Sequence, residues 1–114
     1  MKTVKKKEQK EIFLEESYRN LFNTVSEAIY ILDENGVFID VNKGAIEMYG
    51  YSRDEFIGKT PVDVSAPGKN DLDQTFLFLK EAFNGKTQKF EFWGQRKNGE
   101  IFPKDIILNK GTYL

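Results

Sequence analysis

Apolar residues recur along this chain with two different periods, and the changes of period mark its elements. From about Gln9 to Val25, Leu14, Tyr18, Leu21, Phe22 and Val25 follow one another at spacings of 4, 3, 1 and 3. That pattern places them on one face of a helix. Glu15, Glu16, Arg19 and Asn20 take the other face, while Ile12 and Phe13 extend the apolar set toward the start. Ala28 to Leu32 is a short unbroken apolar run, which predicts a strand buried on both sides. Val37 to Val41 is its antiparallel partner, because Asn35-Gly36 between two apolar runs is a strong hairpin signal. Two short helices are predicted next, at Asn42–Tyr49 and Ser52–Ile57. Asn42 is placed to cap the first and Gly50 to stop it. Ser52 with Glu55 three residues on spells a capping box for the second, which Gly58 ends.

Thr60 to Asn70 holds Pro61 at a helix-opening position and Pro67-Gly68 at a closing one, so a short helix in a mobile surface segment is expected. Asp71 caps a longer helix that runs through Phe83 to Asn84-Gly85. Leu72, Phe76, Leu79 and Phe83 mark its apolar face, and Leu77 and Phe78 widen it. From Thr87 to Arg96 the period changes to two: Phe90, Phe92 and Gly94 on one side, Glu91, Trp93 and Gln95 on the other. A turn at Lys97-Asn98-Gly99-Glu100 leads to a returning strand, Ile101–Asn109, with Phe102, Lys104, Ile106 and Leu108 on one face. No internal repeat, low-complexity segment or interdomain linker is apparent.

Composition narrows the function classes. The chain has 114 residues, 39% apolar and 14% aromatic, with ten Phe, which suits one domain with a packed core. Net charge is −1, so no overall field favours nucleic acid. The absence of Cys and His removes disulfides, thiolate nucleophiles, imidazole bases and imidazole metal ligands. No apolar run approaches the ~20 residues that span a bilayer. The Lys-rich start lacks the apolar core of a signal peptide and reads as a solvated arm. Carboxylate pairs such as Asp33/Glu34 and Asp71/Asp73 fit turns and caps, and the Gly-Lys pairs at 58–59, 68–69 and 85–86 sit in no Walker-type loop. An enzyme is therefore not expected.

Asp33, Gly36, Asn42, Ala45, Gly50-Tyr51-Ser52 with Glu55, and Gly58-Lys59 together resemble the first half of a PAS domain. Lys97-Asn98-Gly99, followed by Ile101-Phe102-Pro103, resembles the turn between the late strands of that family, where Asp-Gly is more usual. The element order matches over about residues 17 to 110. The resemblance implies an α+β fold: an antiparallel sheet with helices packed over one face. A flanking or dimerisation helix would occupy residues 1–26, and the domain core 27–114. It implies a ligand pocket between the sheet and the helices of residues 61–83. Pocket candidates are Tyr30, Leu32, Ala45, Met48, Leu72, Phe76, Leu79, Phe90, Phe92, Gly94, Lys104, Ile106 and Leu108. The implied function is that of a cytoplasmic sensory and interaction module of a larger signalling protein, such as a sensor histidine kinase of a two-component system or a cyclic-dinucleotide regulator. A ligand or partner would shift the sheet and flanking helices and so act on an output domain beyond Leu114. The alternative is a ligand-free structural dimerisation module. Neither nucleic acid nor membrane contact is expected of this segment.

The chain departs from the family in three ways. PAS domains carry a fifth strand, central between the first strand and the last one here, and this chain stops where it would begin. A fragment of a longer protein, a strand or helix donated by a second copy, or a rearranged sheet would each answer the gap, since an unpaired edge invites another chain. A homodimer is expected through the gap or through Ile12, Phe13, Leu14, Tyr18, Leu21 and Trp93, with Trp93 covered by the leading helix or the partner. Second, flavin photochemistry in LOV-type members uses a Cys, the photoactive-yellow type attaches its chromophore to a Cys, and haem-binding members generally use a His. This sequence has neither residue, so none of these cofactor chemistries is open to it. Non-covalent flavin or another small molecule stays open, and no cofactor is expected. Third, Lys104 stands where the family has a small apolar residue. It is expected to snorkel to water, to pair with an anionic ligand such as a carboxylate, or to pair with Asp40 or another acid. Gly94 is expected opposite it, leaving room for a ligand.

Overall fold

The computed structural model describes residues 6–111. Helix α1 (Lys6–Thr24) leads into strands β1 (Tyr30–Leu32) and β2 (Phe38–Val41). Helices α2 (Lys43–Tyr49) and α3 (Arg53–Phe56) follow, then a 3-10 turn at Pro61–Val64. Helix α4 (Leu72–Phe83) and strands β3 (Gln88–Gln95) and β4 (Ile101–Leu108) complete the order read from the sequence. β1 is shorter than Ala28–Leu32 and half-buried rather than covered on both sides. The Ile29 N–H donates to the Asn42 side chain at 2.8 Å, so the chain enters the strand only at Tyr30.

The punctuation residues act as their chemistry predicts. Asp33 accepts hydrogen bonds from the Asn35 and Val37 N–H groups at 2.9 and 3.0 Å, closing the first turn. Asn42 caps α2 by accepting from Ala45 at 3.0 Å. Ser52 and Glu55 bond reciprocally at the start of α3. Gly50 ends α2 with φ 81° and donates to the Ile46 carbonyl, a left-handed position that a side chain would strain.

The strands form two separate antiparallel pairs. β1 pairs with β2, and β3 with β4 in the register Phe92↔Lys104 and Gly94↔Phe102. The residue opposite Lys104 is thus Phe92, not Gly94. The far edges of both pairs are covered. Phe38 exchanges backbone bonds with Gly58 and Lys59 at 3.0 and 2.8 Å. Ser65 bridges to Gly94, and the Asn70 side chain clamps the Trp93 N–H and carbonyl at 2.8 and 2.7 Å. Residues 61–70, expected as a mobile surface segment, are therefore pinned along β3. The near edges of β1 and β4 share no backbone hydrogen bond among the described residues.

Tyr49 is the hub of the core. It is fully buried, with ring centroids 5.1 Å from Phe102, 5.6 Å from Phe56 and 6.0 Å from Tyr30. Gly94 lies against it because any Cβ there would stand 2.5 Å from the Tyr49 hydroxyl. The space at Gly94 is filled by the protein, not left for a ligand.

The helices correct two expectations about faces. On α1, Phe22 is buried and Tyr18 stacks on it at 5.3 Å, while Leu14, Leu21 and Val25 of the same stripe remain 49%, 69% and 40% exposed. On α4 the buried stripe is Thr75, Leu79 and Ala82, with Phe76 exposed over the Gly36 turn. Four consecutive apolar residues, Phe76 to Leu79, carry no rotational phase of their own. The stacking of Phe78 on Phe90 at 4.3 Å fixes it. Trp93 projects outward as expected, but Lys69 of its own chain lies over its ring at 5.2 Å, and α1 packs on α2 instead.

Candidate functional site

A cavity of about 720 Å³ lies between the two hairpins and α4. Its walls are Tyr30 and Leu32 of β1, Phe38 of β2, Met48 of α2, Thr75 and Leu79 of α4, Phe90 and Phe92 of β3, and Lys104, Ile106 and Leu108 of β4. A smaller space of about 330 Å³ adjoins it between the edges of β1 and β4, under Leu79, Ala82 and Phe83. The smaller one opens between those unjoined edges. The period-two patterns bring Tyr30, Leu32, Phe90, Phe92, Lys104, Ile106 and Leu108 to one interior, and Met48 and Leu79 close it from the helices. Four sequence candidates lie elsewhere: Phe76 and Gly94 for the reasons given above, Ala45 in the packed core, and Leu72 at the start of α4.

Among the described residues, Lys104 is the one basic residue lining this cavity. Its Nζ stands 4.2 Å from the Tyr30 ring centroid, 4.3 Å from Tyr49 and 5.7 Å from Phe92. No carboxylate lies within ion-pair distance of it among the described residues. Burial pushes the ammonium down from 10.5 to about 7, since the charged form loses its water. The aromatic faces act in the opposite sense by attracting a cation. Burial also raises the Tyr30 and Tyr49 hydroxyls well above the ordinary tyrosine range, with Arg96 opposing in both cases. Lys104 does not pair with Asp40, and its Nζ turns in over the rings rather than out to water.

Asp40 is engaged elsewhere. Fully buried on β2, it meets Arg19 of α1 at 2.8 Å and Arg53 at the start of α3 at 2.9 Å. Beside it Asn42, also fully buried, donates to the Phe22 and Glu27 carbonyls at 3.1 and 2.8 Å. These two side chains fasten the leading helix to the strand that walls the cavity. Asn42 was legible only as a cap. Asp40, expected as a possible partner of Lys104, shares a strand face with the buried Phe38, where a polar residue must find a partner, and finds it in the two arginines.

The PAS domain family profile matches residues 26–110. This chain belongs to the PAS domain family. Two-component system protein A of Emericella nidulans is 28% identical to it over 97 residues, covering 84% of this chain and 14% of that protein. A protein of Azorhizobium caulinodans is 22% identical over 100 residues, with the same coverage of 84% and 14%. The PAS domain thus spans about 14% of the length of these curated relatives. Among solved structures, a domain of the sensory box sensor histidine kinase/response regulator from Geobacter sulfurreducens aligns with a TM-score of 0.69 and 26% identity, over 84% of this chain and 82% of that one. The PAS domain of a Colwellia psychrerythraea protein aligns at 0.67 and 27% identity, over 79% and 75%. A PAS domain of this kind is a sensory signalling module and is not itself catalytic. No helix among the described residues is long and apolar enough to cross a membrane.

Proposed function

We propose that this PAS domain senses a small molecule in the cavity between its hairpins and passes the change to an output domain of a larger, cytoplasmic protein such as a sensor histidine kinase. The observation that carries this reading is the cavity of about 720 Å³, apolar for most of its wall and furnished with a single ammonium, a size and chemistry that suit a small ligand. The route out would run through β2. A ligand that changes the spacing of the hairpins displaces Phe38, on the cavity wall, and with it Asp40 and Asn42, which hold α1.

The exposed stripe of Leu14, Leu21 and Val25 on α1 supports a second element, homodimerisation through that helix. Were the cavity never occupied, dimerisation would be the domain's whole function. Native mass spectrometry of the purified chain tests both. A co-purified mass lost on denaturation, or a small molecule that raises the melting temperature, is expected of a sensor. A monomer that carries nothing, and whose melting temperature no small acid, alcohol or amine raises, would end both readings.

A further inference from the structure

We infer that the cavity is built for a small monocarboxylate with an apolar tail, its carboxylate seated on Lys104 and its tail lying toward Leu79, Phe90, Ile106 and Leu108. The inference deepens the cavity reading above and rests on it. Among the described residues Lys104 is the single cation on a wall that is mostly aromatic and aliphatic, its other polar groups being Thr75, Asn109 and the exposed acids Glu27 and Asp105. Its Nζ is held over Tyr30 and Tyr49, two rings supplied by different elements, and it has no acidic partner among the described residues. An ammonium so placed gains far more from one arriving carboxylate than a solvated lysine would, because the attraction acts in a medium of low dielectric constant. The groups around it sharpen the charge rule. Tyr30 from β1 and Tyr49 from α2 stay neutral because burial raises their hydroxyls. Arg96, past the end of β3, is stacked on Phe102 at 4.1 Å and lines neither hairpin cavity. Two exposed acids on the cavity wall, Glu27 and Asp105, would repel a second carboxylate. Lys110, the other cation near the site, is exposed in the adjoining smaller space, so the larger cavity itself offers a seat for one negative charge.

Binding also has a proton signature. Burial lowers the Lys104 ammonium to about 7, so at about pH 8 the empty site is mostly amine, and a carboxylate must draw a proton in with it. Isothermal titration of this chain with octanoate, octanol and suberate, in two buffers of different ionisation enthalpy, tests each part. Octanoate is expected to bind at least about tenfold tighter than octanol or suberate, with uptake approaching one proton per ligand. Lys104→Met is expected to lose octanoate by about tenfold or more while changing octanol by less than about twofold. The proton uptake needs only the wild-type chain, so it decides the matter even if the variant fails to fold. Octanoate and octanol binding alike, with no proton taken up, would leave the cavity a ligand site and overturn the role of Lys104. Suberate binding as tightly as octanoate would overturn the preference for one charge. Binding of none of the three overturns this inference, and the cavity reading falls with it only if neutral and amine ligands fail as well.

Discussion

Replacing Lys104 with Met should stabilise this domain near neutral pH and remove most of its pH dependence between about pH 7 and about pH 9. Burial takes the ammonium from 10.5 to about 7, and at ~1.4 kcal/mol for each tenfold the charged form costs roughly 5 kcal/mol inside the fold. Attraction to the Tyr30, Tyr49 and Phe92 faces offsets ~0.5–1 kcal/mol for each ring at a half-buried site, ~1.5–3 kcal/mol over the three, leaving a net cost of roughly 2–3.5 kcal/mol near pH 7. The sign follows from proton counts. Between about 7 and 10.5 the folded chain binds fewer protons at this site than the unfolded chain, so stability rises with pH across that window and is lost as pH falls through it. For the wild type this amounts to about 1–2 kcal/mol between pH 7 and pH 9. The window is clean, because the sequence has no His and no Cys. The α-amino group titrates there too, but it is common to both proteins and cancels from their difference. Met keeps the length and apolar stem of Lys without its charge. Urea unfolding followed by the fluorescence of the single Trp, Trp93, at both pH values and one ionic strength, measures all of this. A Lys104→Met variant less stable than the wild type near pH 7, or with the same slope, would mean that the ammonium is solvated and that the rings do not enclose it.

Asp40→Asn keeps the shape of the β2 side chain but removes the charge shared with Arg19 and Arg53. A loss of ~1.5–3 kcal/mol is expected by chemical denaturation, together with faster amide exchange in α1, and unchanged exchange there would show that Asp40 does not fasten the helix. Gly94→Ala sets a methyl 2.5 Å from the Tyr49 hydroxyl and 2.9 Å from its ring, which should cost ~1–3 kcal/mol. That hydroxyl is buried with no hydrogen-bond partner among the described residues, so Tyr49→Phe should be neutral or stabilising by ~1 kcal/mol, and should relieve part of the Gly94→Ala penalty in a double-mutant cycle. Leu14→Glu with Leu21→Glu, both at exposed positions on α1, should leave the melting temperature unchanged and turn a dimer into a monomer in sedimentation velocity; a dimer that survives would place the contact elsewhere.

The local signals here were legible because they are properties of one or a few neighbouring residues. Asn35-Gly36 forms a hairpin, Asn42, Ser52 and Asp71 cap helices, and Gly50 stops one, whatever surrounds them. Strand alternation likewise assigned Phe90, Phe92, Lys104, Ile106 and Leu108 to the cavity wall, since successive side chains of β3 and β4 must take opposite faces. What failed was phase and pairing. The run Phe76–Leu79 is apolar at every position, so only the contact of Phe78 with Phe90 turned Phe76 outward. Gly94 could be placed on the inner face, but its neighbour Tyr49 comes from a helix 45 residues earlier, and no periodicity records that distance. Lys104 was marked as anomalous by the family resemblance, which puts a small apolar residue there. Whether it met an acid, water or aromatic faces depended on where three other elements put Asp40, Tyr30 and Tyr49. The sequence by itself thus determined the elements, their order and, along the alternating strands, which side chains face inward, because those follow from backbone chemistry and a period of two. Tertiary structure alone decided which inward-facing groups meet, because a contact between distant segments is fixed by the packing of all the elements between them.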